Sequence, residues 1–111
     1  MLVERKEFLN EDGTLGYAES VFRSENILKT TYFPQSQKLY IAFSRGDTYV
    51  YANISPEFYK EFEAAESHGK FFHKNINNKP QYPHHREFKL LPYEIEGFKA
   101  IVESYNPEED E

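Results

Sequence analysis

The stretch Leu39-Tyr40-Ile41-Ala42-Phe43-Ser44-Arg45-Gly46-Asp47-Thr48-Tyr49-Val50-Tyr51 decides the fold. Strand side chains repeat every two residues, so Leu39, Ile41 and Phe43 share one side. Ser44-Arg45-Gly46-Asp47 supplies the turn, with a glycine that tolerates positive φ. Thr48 to Tyr51 then returns with Tyr49 and Tyr51 on a common side. This is a β-hairpin, and elements of matching kind lie on both sides of it.

Upstream, Leu2–Leu9 and Thr14–Val21 flank Asn10-Glu11-Asp12-Gly13, a second turn sequence, and Ile27–Phe33 is a further β-rich run closed by Pro34. Downstream, Ser55-Pro56-Glu57 reads as N-cap, first helical residue and an acid suited to the helix dipole. Phe58, Tyr59, Phe62 and Ala65 then mark one helical face, and Gly69 is expected to end that helix in the left-handed conformation. Phe71, Phe72 and Ile76 suggest a short second helix, while Pro80 and Pro83 break Asn77 to His85 into ordered loop or extended chain. A last helix starts near Pro92, with Ile95, Phe98, Ile101, Val102 and Tyr105 on its apolar face, and residues 107–111 form an acidic tail. Strands followed by helices define an α+β class. The expected architecture is an antiparallel sheet of four or five strands, covered by helices on one face, with the C-terminal helix sealing an edge or end.

The 111 residues fit a single domain. Nine Tyr and ten Phe against one Met and no Trp make the core aromatic, and every buried Tyr hydroxyl then needs a partner. The absence of Cys excludes disulfides, thiolate metal sites and Cys nucleophiles together. No apolar run approaches the roughly 20 residues of a membrane span, and no signal segment opens the chain. A soluble, cytoplasmic protein without a membrane partner is the expectation. The net charge of −6 is unevenly distributed. Residues 67–91 carry Lys70, Lys74, Lys79, Arg86 and Lys89 against Glu87 alone, a balance of +4, whereas residues 92–111 carry −6.

In order along the chain stand Ser24-Glu25-Asn26-Ile27, Tyr32 before Pro34, Gly46, Tyr49-Val50-Tyr51, Pro56, Tyr59, Ser67-His68-Gly69-Lys70-Phe71-Phe72, Ile76 and Tyr82. This ordered set, residues 24–82, resembles the KTSC domain, a short module at the C-terminus of some lysyl-tRNA synthetases and in stand-alone proteins of bacteria and phages. Residues 1–23 and 92–105 lie outside the shared region. The resemblance implies no established activity; RNA binding is suggested only by the synthetase context. Thr30 stands where the pattern has an apolar residue.

Two places invite a binding role. Lys70, Lys74, Lys79, Arg86 and Lys89, interleaved with Phe71, Tyr82, His84 and His85, suit phosphates and stacked bases. Otherwise that basic island balances the acidic C-terminal helix within the monomer. Tyr49 and Tyr51 form an aromatic platform if their side of the sheet is open, and core if a helix lies on it. Four histidines lack an acid at metal-ligand spacing, and no nucleophile elbow or oxyanion loop is present, so neither metal, cofactor nor catalysis is expected. The sequence therefore points to a non-catalytic module binding RNA or single-stranded nucleic acid. Its rivals are a protein-binding accessory or inhibitor and a nucleotide or second-messenger binder.

Overall fold

The computed structural model describes residues 1–105; the acidic tail at 107–111 lies outside the described residues. Six strands follow one another as an antiparallel meander: β1 (Leu2–Leu9), β2 (Leu15–Phe22), β3 (Ile27–Phe33), β4 (Lys38–Phe43), β5 (Asp47–Tyr51) and β6 (His84–Lys89). Helices α1 (Pro56–Ala64) and α2 (His68–Asn75) are inserted between β5 and β6, and α3 (Pro92–Ser104) closes the chain. The class is α+β, as the sequence implied. The additional strand is β6, whose six residues are all exposed, so no buried period betrays it.

One side of the sheet carries Phe22, Ile27, Tyr32, Leu39, Ile41 and Tyr51, and onto it α1 and α2 press Tyr59, Phe62, Phe72 and Ile76. The Ser55 hydroxyl caps α1 by accepting from Phe58 N at 3.1 Å. Gly69 does not terminate α1. That helix stops at Ala65, and Ser67 caps a new one by accepting from Lys70 N at 3.3 Å, leaving Gly69 inside α2.

Thr30 has a physical reason to be polar. Its hydroxyl lies 2.9 Å from the buried Tyr59 hydroxyl, which is also 3.5 Å from Ser20 Oγ. Ser20 donates to Glu63 Oε2 at 3.1 Å, and Arg5 Nε holds the same carboxylate at 3.0 Å. Burial, with Glu63 adding repulsion, pushes the Tyr59 phenol up to about 12. An aromatic core thus disposes of a hydroxyl that otherwise has no water.

The other side is divided. Helix α3 does not seal an edge: Ile95 and Phe98 pack on Leu28, Ala42 and Leu90, a second apolar cluster facing away from α1 and α2. Arg23 reaches the far end of α3 and donates to Val102 O at 2.9 Å and Tyr105 O at 3.3 Å, satisfying carbonyls left over at a helix C-terminus. At Gly46 (φ 97°) a Cβ would come within 2.8 Å of Ile95 Cδ1, so the turn glycine also makes room for α3. Beyond α3, a row of rings, two pairs stacked and the last edge-on, runs across the open part of this face. Phe8 meets Tyr17 at 4.4 Å, Tyr17 meets Phe33 at 5.2 Å, and Phe33 meets Tyr40 at 5.7 Å.

Replacing Thr30 by Val leaves the Tyr59 hydroxyl only its long 3.5 Å contact to Ser20 and is expected to cost about 1–3 kcal/mol, the usual penalty for an under-satisfied buried polar group. Tyr59→Phe in that background is expected to recover part of the loss. Urea denaturation of the two single variants and the double variant measures the coupling, and strict additivity would contradict it.

Candidate nucleic-acid interface

Helix α2 is oriented by Phe72, whose ring lies edge-on to Phe43 at 5.3 Å and to Tyr51 at 5.5 Å. With Phe72 and Ile76 turned inward, the helical repeat sends Lys70, His73 and Lys74 outward, and all three are exposed. Phe71 points sideways rather than out, half-buried against Phe58 at 5.5 Å and Phe62 at 5.9 Å. Tyr82 stacks flat on Phe58 at 4.9 Å. Neither ring joins the expected exposed set; both complete the apolar contact between α1 and the segment leading to β6. Lys79 is half-buried in that segment.

Strand β6 pairs with β5 so that His84 sits opposite Tyr51 and Arg86 opposite Tyr49. His84 and Arg86 therefore emerge on the side of the sheet that carries α2. The exposed His84 ring lies over Tyr51 at 5.2 Å and 26°, and beside Tyr49 at 5.9 Å. Arg86 donates to Asp47 Oδ1 at 2.8 Å across an open surface. His85 faces the opposite side, where its Nε2 meets Glu87 at 2.6 Å. Lys89 lies opposite Asp47 at the end of the strand.

The aromatic pair on β5 is split. Tyr51 is 3 % exposed, enclosed by Phe72 and roofed by His84, and burial drives its phenol pKa strongly upward. It is core, not platform, because α2 crosses the sheet at that position. Tyr49, one step along the same side, escapes the helix and stays half-buried next to His84. The exposed rings of the site are His84 and His73.

Among the described residues Lys70, Lys74, Lys79 and Lys89 take part in no salt bridge. The expectation that the C-terminal helix neutralises the island is not met within α3, which packs on the far side of the sheet. Grouping of His, Asp or Glu that would hold a metal ion is likewise absent among the described residues.

The structure also assembles residues that the sequence presented only as a recognition pattern. Ser24 Oγ accepts from Asn26 N and Ile27 N at 3.4 Å each. A Cβ on Gly69 would stand 3.7 Å from both Asn26 Nδ2 and Ser24 Oγ, so the glycine lets α2 approach this turn closely. Ser24, Asn26, Ser67, Lys70 and His73, with Arg23 and the acids Glu25 and Glu66, line a polar cleft of about 350 Å³ at the start of α2. Asn26 and His73 also border a second cleft, about 510 Å³, with Ser44, Arg45 and Asp47. The two spaced motifs, Ser-x-Asn and Ser-x-Gly-Lys, were the available signal that these positions meet.

Comparison with known proteins agrees with that motif. The sequence model of the KTSC domain matches residues 23–82, more than half of the 111 residues. The chain belongs to the KTSC domain family. A solved structure of a KTSC domain protein from Yersinia pestis superposes with a TM-score of 0.59 at 27 % identity, covering 63 % of this chain and 96 % of that one. No curated protein sequence matches. Outside the matched KTSC region lie β1, β2, β6 and α3.

At the rim of the cleft, His68 is 1 % exposed and wedged between Phe22 at 4.4 Å and Phe62 at 5.3 Å. Its Nε2–H donates to Glu63 O at 3.0 Å, and its Nδ1 accepts from the Met1 ammonium at 3.2 Å. Burial chiefly, and the ammonium after it, hold its pKa below the usual imidazole range. The unfolded chain therefore binds a proton that the folded chain refuses. The His68 contribution to stability is complete above about pH 6.5 and declines as pH falls from there toward the folded-state value. Urea midpoints measured from pH 8 to 5 are expected to fall, and the wild-type slope is expected to exceed that of His68→Gln.

Proposed function

We propose that this KTSC domain is a non-catalytic binding module for RNA, acting in the cytoplasm. The observation that carries the reading is the exposure of Lys70 and Lys74 on α2, neither of which forms a salt bridge among the described residues, on the same side of the sheet as His84 and Arg86. In a chain of net charge −6, a local surface of this sign attracts a polyanion at short range while the remainder repels non-specific attachment. Ser24, Asn26, Ser67 and His73 add hydrogen-bonding groups along the cleft between the α2 lysine surface and the β2–β3 turn.

The family context that suggests RNA is an analogy and adds no geometry of its own. Charge placement is what makes the idea testable. Lys70→Glu with Lys74→Glu is expected to abolish retention on immobilised RNA at low salt. In fluorescence anisotropy, each phosphate contact removed should lower the log–log salt slope by about 0.7 for a single strand. Both lysine side chains point to solvent, so an unchanged urea midpoint is expected alongside. Retention equal to wild type would remove the proposal.

A second reading, a protein partner, is favoured by the opposite side of the sheet. There Phe88 is 50 % exposed and Phe8 39 % exposed, and an apolar groove of about 220 Å³ runs between Phe33, Tyr40, Phe88 and Leu90. Several charges on this side are matched, Glu4 with Lys6 and Glu19 with Lys29, which leaves a polyanion less to follow. A stoichiometric protein recovered from a nuclease-treated pull-down, and lost on Phe88→Glu, would favour this reading over the first.

A further inference from the structure

The basic surface is not only charged, and the exposed His84 ring, already stacked on the core, says which form of nucleic acid it takes. We infer that the site binds single-stranded RNA in preference to duplex, with a base stacking on the outer face of His84. The inference rests on the nucleic-acid reading above and specifies its ligand. The inner face of the imidazole covers Tyr51 at 5.2 Å and 26°, which holds the ring nearly parallel to a fixed, buried phenol. The histidine is exposed, so the other side of that stack ends in solvent. Adding one more ring continues an arrangement that already exists, at no cost in reorienting the side chain.

The flanking groups fit a strand passing over that ring. Arg86 follows His84 by two residues on the same side of β6, about 7 Å along a strand. Its contact with Asp47 is solvent-exposed, and such pairs contribute little and yield readily to a phosphate. The half-buried Tyr49 ring stands 5.9 Å from His84 and closes the inner side. Bases inside a duplex are stacked on one another and show only their edges, so a duplex engages the lysines and leaves the histidine unused. Stacking on a ring needs an unpaired base.

The experiment compares a single-stranded oligouridylate with an RNA hairpin duplex of equal nucleotide number, each titrated by fluorescence anisotropy at fixed low salt. Wild-type protein is expected to bind the single strand at least tenfold more tightly. His84→Ala is expected to lose roughly fivefold or more on the single strand, the effect of removing one stacking ring, and to leave duplex binding unchanged. His84→Phe keeps a ring without its charge and is expected to retain single-strand binding. His84 also covers Tyr51, so His84→Ala is expected to unfold at a slightly lower urea concentration and His84→Phe at the wild-type one, with both folded under the binding conditions. Equal affinity for the two forms would overturn the inference while lysine-dependent binding kept the broader reading alive. Loss in His84→Phe equal to that in His84→Ala would also overturn it, by making the ring's polarity the relevant property. Absence of binding to either RNA would overturn both, and is recognised by the indifference of wild type and the Lys70→Glu, Lys74→Glu variant alike.

Discussion

The seating of Phe72 between Phe43 and Tyr51 is the contact on which the rest of the arrangement depends. Two edge-to-face ring pairs fix the rotation of α2 about its own axis, and each such pair adds about 0.5–1.5 kcal/mol beyond simple area burial. Once that rotation is set, an eight-residue helix has no freedom over what it shows to solvent. Lys70 and Lys74 must face out, and Gly69 must face the Ser24–Asn26 turn. The same contact takes Tyr51 out of reach and leaves Tyr49 at the margin. Charge, cleft and exposed ring are consequences of one packing event.

Two sides of one sheet consequently have different chemistry. Toward α1 and α2 a polar chain, Thr30, Tyr59, Ser20, Glu63 and Arg5, leads from inside an aromatic core out to solvent, and the outer surface presents the exposed cations of α2. Away from them Glu4 pairs with Lys6 and Glu19 with Lys29, and the rings lie open. A polyanion and an apolar partner surface would choose opposite sides. The second cluster under α3 is small, Leu28, Ala42 and Leu90, and no residue of α3 is fully buried. Arg23 on its terminal carbonyls adds to the packing of Ile95 and Phe98 in holding that helix.

What was legible in the sequence is what short-range chemistry decides. The hairpin around Gly46 and the Ser55-Pro56 helix start follow from turn geometry and capping, which need only neighbours a few residues away. Gly69 misleads because a glycine near a helix end usually supplies positive φ, whereas this one supplies space for Asn26, forty-three positions earlier in the chain. Strand β6 is opaque because none of its residues is buried, so its sequence has no period to read. The apolar stripe of α3 announces that the helix docks, not on which side of the sheet. Tyr49 and Tyr51 have identical parity, and only the path of α2 across the sheet tells them apart. Phe71 and Tyr82 look available beside lysines in sequence, yet Phe58 claims both rings.

The boundary of the family match divides the basic surface in an informative way. Residues 23–82 include the Ser24–Asn26 turn, the cleft and the α2 lysines, so the charged part is built on the KTSC core. His84 and Arg86 come from β6, which begins just past that boundary. Strand β6 exists as a strand because Tyr51 and Tyr49 offer it a register, and in return His84 roofs the Tyr51 ring that α2 leaves uncovered on one side. A residue that closes the core on its inner face and meets solvent on its outer face is constrained in position by stability alone. Any ligand that stacks there inherits that rigidity, whereas contacts to the flexible lysines have to be ordered at the moment of binding.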